Sequence, residues 1–102
     1  MLYLHGMGHF NPDNIISNKF LEDLDIGTNN EWIMERVGIE NRRTVLPLDY
    51  IKTTKNSDPR AAFEARLYKN AQMAARAARM ALERAALKLE DIGMVIAGSS
   101  TP

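Results

Sequence analysis

A chain of 102 residues that is 45% hydrophobic and 25% charged has the composition of an ordinary globular protein, neither disordered nor fibrous. Thirteen basic residues balance thirteen acidic ones, which removes the whole-chain positive field that nucleic acid or an anionic membrane would require. There is no cysteine, so this chain holds no disulfide, thiolate nucleophile or thiolate metal site, and no apolar run approaches the roughly 18 residues that span a bilayer. One domain, 1–102, in the cytoplasm is the expectation.

Met1 to His9, "MLYLHGMGH", opens with apolar and aromatic residues suited to a strand, and Gly6 and Gly8 then loosen the backbone into a strand-end turn where another backbone passes close by. After a turn at "FNPDN", Ser17 caps a short helix with an apolar stripe of Phe20, Leu21 and Leu24, and Gly27 follows its end. Thr28 stands three residues before Glu31, the spacing of a capping box. This predicts a second helix over 29–37, closed by a left-handed Gly38 and covered by Ile39.

Residues 44–58, "TVLPLDYIKTTKNSD", read as a long, partly packed loop in which Pro47 excludes a central strand. Asp58 and Pro59 form an N-cap and first helical residue, and the following 30 or so residues make one long helix or two joined near Asn70. Ala74, Ala77, Ala81 and Ala85 fall at helical spacing and allow another element to approach closely. Met94 to Ala97, between Gly93 and Gly98, is consistent with a buried strand. The order strand, helices, long helix, strand is that of an α/β unit with a right-handed crossover. Two strands are too few for a sheet with buried faces, so the chain reads as part of a larger, incomplete layered fold.

His5 and His9 are four apart, but the glycines between them argue against a helical zinc pair, and no glutamate completes a site; they read as structural residues. "GMG" lacks the third glycine of a dinucleotide fingerprint. Ser99 and Ser100 in "GSSTP" have no visible base and read as a polar loop of the kind that borders active sites in α/β sheets. The arginines from Arg76 to Arg84 read as a solvated face or a docking surface for an acidic partner. Trp32 and Arg36, at i and i+4 of a helix, share one face, where an indole and a guanidinium can stack on each other or hold a flat group between them.

"EWIMERVGIENRR", residues 31–43, resembles the "EWI…R.GI..R" signature of 3-oxoacyl-(acyl carrier protein) synthase III, the initiating condensing enzyme of the thiolase superfamily. "AARAARMALERAALKLEDIGMVIAGSSTP" resembles that family's alanine-rich helix, turn and following strand. The resemblance implies the N-terminal part of a thiolase-like α-β-α-β-α layered fold. It also implies that Trp32 and Arg36 clasp the adenine ring of coenzyme A at a tunnel mouth, with Thr28 beside them. The family transfers an acyl group from coenzyme A to a cysteine, then condenses it with malonyl-(acyl carrier protein) with loss of carbon dioxide. A histidine and an asparagine stabilise the oxyanions.

The resemblance places that cysteine, histidine and asparagine beyond Pro102, so no catalytic residue is expected in this chain, nor activity from it alone. It implies no tightly bound cofactor and no metal, a coenzyme A thioester as substrate, acyl carrier protein as partner, and a homodimer when full length. Residues 44–66 look longer than the equivalent loop of the housekeeping enzymes, and Glu40 replaces an often basic residue. Two alternatives therefore stand beside the fatty-acid enzyme. One is a related ketosynthase of secondary metabolism, of the alkylquinolone or dialkylresorcinol type; the other is a non-catalytic module that binds coenzyme A.

Overall fold

The computed structural model describes residues 1–100, so Thr101 and Pro102 of the polar "GSSTP" loop lie outside the described residues. The chain forms two compact units, one over Pro12–Tyr68 and one joining Met1–Asn11 to the chain from Lys69 onward.

In the first unit, β1 (Asn14–Ser17) pairs antiparallel with β2 (Asn41–Thr44), Ile16 facing Arg42 and Ser17 facing Asn41. Between them lie α1 (Asn18–Asp23) and α2 (Asn30–Arg36). Ser17 leaves the strand in an extended conformation, and its hydroxyl accepts from the Phe20 N–H at 3.0 Å, so one residue ends β1 and starts α1 as its sequence position predicts. Gly38 closes α2 at φ +66°, its N–H donating to the carbonyls of Ile33 and Met34, again as predicted.

The start of α2 differs from expectation. Asn29, not Thr28, is the cap: its Oδ1 accepts from the Trp32 N–H at 2.8 Å, and the Thr28–Glu31 capping box does not form. Asparagine caps at least as well as threonine, and standing one residue nearer the helix it takes the position first. The Thr28 hydroxyl is left buried and without a hydrogen-bond partner among the described residues.

Residues 44–58 are also more ordered than a loop. Thr44 still belongs to β2, and α3 (Leu48–Thr54) follows Pro47 directly. Pro47 excludes a strand as argued, but its fixed φ of −60° equally suits the residue that leads into a helix. Ile51 anchors α3 and, with Leu24 and Ile33, forms the buried apolar centre of this unit, each being 5 to 8% exposed. After left-handed Lys55 and Asn56 the chain enters α4 (Pro59–Ala65), where Asp58 Oδ1 accepts from Arg60 N at 2.9 Å and Ala61 N at 3.3 Å. The Leu67 N–H then donates to the Val45 carbonyl at 2.7 Å, closing 46–66 into an excursion with its two ends tied together. Asp58→Ala removes the cap without touching the centre and is expected to cost about 1 kcal/mol, read as a lower urea midpoint at unchanged slope.

In the second unit, α5 (Asn70–Ala85) starts after Arg66 turns extended, so the predicted helical stretch is two helices rather than one. Gln72 Oε1 accepts from the Lys69 N–H at 2.7 Å at its start, and Ala86 ends it at φ +54°. An L-residue pays for that left-handed conformation and glycine does not. Ala86→Gly is therefore expected to stabilise by about 1 kcal/mol, visible as a higher unfolding midpoint.

The N-terminal segment runs along α5. A Cβ on Gly6 would meet the Ala81 carbonyl oxygen and come within 2.9 Å of Ala85 Cβ; one on Gly8 would meet the Ala77 carbonyl oxygen and come within 2.7 Å of Ala81 N. Two extended residues advance about 6.6 Å. Four helical residues advance about 6 Å. A Gly-x-Gly therefore keeps step with an alanine every fourth residue. This is the close backbone passage that the glycines and alanines predicted, although the expected strand-end turn does not form at Gly6–Gly8.

Two other expectations are corrected in this unit. Neither Met1–His9 nor Met94–Ala97 is a strand: among the described residues neither segment joins a ladder, and Met1, Leu2, Leu4, Met94, Val95 and Ile96 are exposed. The expected crossover between two strands is accordingly not formed. The α5 arginines are not simply a solvated face either, since Arg84 Nη1 donates to the Met7 carbonyl at 3.2 Å and the Arg76 guanidinium lies 5.1 Å from the Phe10 ring centroid. They tie the N-terminal segment down at both ends of its contact with α5. No helix among the described residues is long and apolar enough to cross a membrane.

Candidate ligand-binding helix

Helix α2 carries both residues singled out by spacing. Its N-cap, Asn29, fixes the backbone N–H of Trp32 itself, and Ile33 is 5% exposed, so the helix is held by its inner side while Trp32 remains 51% exposed. One turn on, the Arg36 guanidinium carbon lies 5.3 Å from the indole centroid. In the free chain the two side chains are thus stacked on each other, within cation–π range.

That distance bears on what the pair can hold. A flat ring in contact with both faces needs about 7 Å between them, two carbon contacts of about 3.5 Å. Arg36 must therefore swing outward by roughly 2 Å to admit one. A long arginine side chain has the rotamer freedom to do so. The pair is an aromatic face on a capped helix backbone with a movable cation beside it.

Thr28, the third predicted site residue, lies two residues before α2. Its hydroxyl is turned inward, so the structure brings Trp32 and Arg36 together but does not direct Thr28 Oγ1 towards solvent beside them. Relieved of capping by Asn29, the hydroxyl has no partner among the described residues.

Sequence reasoning missed the polar group behind this helix. Asn18, only 3% exposed, donates from Nδ2 to Asn30 Oδ1 at 3.0 Å and to the Ile39 carbonyl at 2.9 Å, while its Oδ1 accepts from Arg42 Nη1 at 3.0 Å and Nη2 at 3.1 Å. The signal was partly visible: Arg42 is the arginine that closes "R.GI..R". Asn18 beside a helix cap gave no hint of burial.

Other arrangements have less to offer a ligand. Ser17, Lys19, Phe20, Asp23, Leu24 and Lys52 line an open depression. Its charges are already engaged, Lys19 with Asp23 at 2.6 Å and Lys52 over the Phe20 ring at 5.8 Å. The hydrogen bond to Asp23 holds the Lys19 ammonium above its usual range. His5 faces Tyr3, with ring centroids 6.4 Å apart, and no cluster of three or more metal-ligating side chains occurs among the described residues.

Comparison with known proteins gives this geometry a context. No protein-family model matches the chain. It is 37% identical over 97 residues to the beta-ketoacyl-[acyl-carrier-protein] synthase III of Syntrophomonas wolfei, a match covering 95% of this chain and 23% of that protein. It is 39% identical over 97 residues to the synthase III of Alkalilimnicola ehrlichii, covering 95% of this chain and 24% of that one. Among solved structures, 3-oxoacyl-[acyl-carrier-protein] synthase III from Aquifex aeolicus VF5 superposes with a TM-score of 0.61 at 30% identity, over 84% of this chain and 21% of that chain. The chain thus spans about a quarter of the length of the curated relatives it matches. Its mixed helices and strands are part of an α/β fold of that thiolase-like kind. Sequence over 95% of the chain and structure over 84% of it agree in placing these residues with the 3-oxoacyl-(acyl carrier protein) synthase III family.

Proposed function

We propose that this chain supplies the coenzyme A entrance of a condensing enzyme, with α2 presenting Trp32 and Arg36 to the adenine ring of an acyl-coenzyme A. The observation that carries the reading is the half-exposed indole on a capped helix with a guanidinium 5.3 Å from its centroid. Adenine is flat and carries phosphates nearby, so an aromatic face gives stacking and an arginine gives both stacking and charge. Thr28 belongs to the proposal through the resemblance, its hydroxyl reaching a ligand after rotation about χ1.

The chemistry proposed for the intact polypeptide is acyl transfer from coenzyme A to a cysteine, followed by decarboxylative condensation with malonyl-(acyl carrier protein). The acyl and malonyl thioesters give a 3-oxoacyl-(acyl carrier protein), free coenzyme A and carbon dioxide. This chain has no cysteine and holds no step of that reaction. Its part is to bind and orient the coenzyme A end of the donor. No tightly bound cofactor takes part, the carrier protein is a substrate-bearing partner, and the intact protein works in the cytoplasm as a homodimer.

The α3–α4 excursion favours a second reading of the substrate. Residues 46–66 form two helices on a closed base, within the stretch 44–66 that the resemblance reads as longer than the equivalent loop of the housekeeping enzymes. A ketosynthase of secondary metabolism, using a different acyl group on the same coenzyme A handle, fits that departure.

The test is release of carbon dioxide from labelled malonyl-(acyl carrier protein) by the intact polypeptide, with a panel of acyl-coenzyme A donors. Release that depends on the donor supports a condensing enzyme, and the preferred acyl chain decides between primary and secondary metabolism. No release with any donor, from folded protein that binds coenzyme A, would leave only the binding module.

A further inference from the structure

We propose that Asn18 and Arg42 are positioning residues for the Trp32–Arg36 pair: they lock both ends of α2 onto the start of α1 and the paired strands β1 and β2, and so set the face that α2 presents to coenzyme A. This rests on the reading of α2 as the adenine-holding helix.

Helix α2 has seven residues, too few to be stable by itself, and Ile33 is its one buried side chain. A two-turn helix with one buried side chain near its middle, and the Asn30 N–H held at its start by Glu22 Oε2 at 3.2 Å, is still free to turn about its own axis. At a radius of about 6 Å, a 10° turn moves an outer side chain by about 1 Å. Displacement of that size can cost up to about 100-fold where a bound group must be held in one geometry. Something other than the apolar contact must fix the rotation.

The Asn18 amide does this at both ends. One N–H of Nδ2 reaches the side chain of Asn30, the first residue of α2, and the other reaches the carbonyl of Ile39, just past the closing Gly38. Asn18 is itself fixed from behind. Its backbone N–H donates to the Glu40 carbonyl at 3.0 Å, and both terminal nitrogens of Arg42 grip its Oδ1. Arg42 Nη2 also reaches the Ile39 carbonyl at 3.3 Å.

The amide has two donors and two acceptor sites, and all four are used. A buried group satisfied in this way admits one orientation only. The forked guanidinium is needed as well, since a lysine at 42 could not hold one oxygen with two parallel N–H groups while reaching a second carbonyl. The closing arginine of "R.GI..R" thus acts on the first one, Arg36, through Asn18 and the two ends of α2.

The experiment is a double-mutant cycle on the intact polypeptide, with affinities for coenzyme A and for pantetheine measured by calorimetry well below the unfolding midpoint. Trp32→Ala and Asn18→Ser are each expected to weaken coenzyme A binding, the second about tenfold, with pantetheine, which lacks the adenine nucleotide, unaffected. In the Trp32→Ala background, where only Arg36 is left to be positioned, Asn18→Ser is expected to cost clearly less than it does in the unaltered protein. Should Asn18→Ser fail to fold, Asn30→Ala, at an exposed side chain, takes its place with an expected loss of about threefold.

If Trp32→Ala weakens coenzyme A binding but the folded Asn18 or Asn30 variant does not, the positioning role is overturned and the clasp survives. Fully additive losses, or an equal loss for pantetheine, overturn it too, because the amide would then act on the fold in general. An unchanged affinity in Trp32→Ala overturns the clasp reading itself.

Discussion

Trp32→Ala is expected to raise the dissociation constant of the intact polypeptide for coenzyme A by about 10- to 100-fold while leaving its folding intact. The size follows from base–aromatic stacking, worth about 1 to 3 kcal/mol when the aromatic side chain is cut back to alanine. Folding should be spared because the indole is 51% exposed and buries little against the centre formed by Leu24, Ile33 and Ile51. Trp32→Phe should recover part of the loss by keeping a ring. Arg36→Lys should lose less than Trp32→Ala, since it keeps the charge but gives up the planar stack. Titration calorimetry distinguishes these variants, and circular dichroism checks that each remains helical.

The largest effect on stability is expected at Gly8. A methyl group there would run into the Ala77 carbonyl and the Ala81 amide nitrogen, both backbone atoms of a regular helix that cannot move aside separately. Gly8→Ala should therefore either lift the N-terminal segment off α5 or distort the helix, at about 2 to 3 kcal/mol. Gly93→Ala, where a Cβ meets nothing within 4 Å, is the matched control and should be close to neutral. Hydrogen exchange would show where the cost falls: lost protection along α5 near Ala77 to Ala85 in the Gly8 variant and none in the control.

Local punctuation was the most legible part of the sequence. Ser17, Gly38, Asp58 and Pro59 act within about five residues of themselves, so their neighbours in the chain already contain the whole interaction. The close passage of a backbone was legible for a related reason: the glycines of "GMG" carry no side chain to hold it off, and alanine every fourth residue leaves a matching track. The α2 cap was misplaced by one residue because Thr28 and Asn29 are both competent caps and only the backbone path chooses between them.

What required the structure was interaction across long sequence separations. The apolar runs at Met1–Leu4 and Met94–Ile96 have the composition of strands, but a strand exists only with a partner, and neither run meets one among the described residues. The Asn18–Arg42 contact spans 24 positions and joins residue types that usually sit at the surface, so no periodicity announces it. Trp32 and Arg36 were legible because one helical turn separates them, while the reason α2 faces as it does was not.

The most direct test of the central claim is a crystal structure of the intact polypeptide with coenzyme A. The adenine ring is expected against the Trp32 indole, with the Arg36 guanidinium swung out to about 7 Å from it and closed over the other face of the adenine. A complex with coenzyme A bound elsewhere, and Arg36 still stacked directly on Trp32 at the 5.3 Å of the free chain, would contradict it.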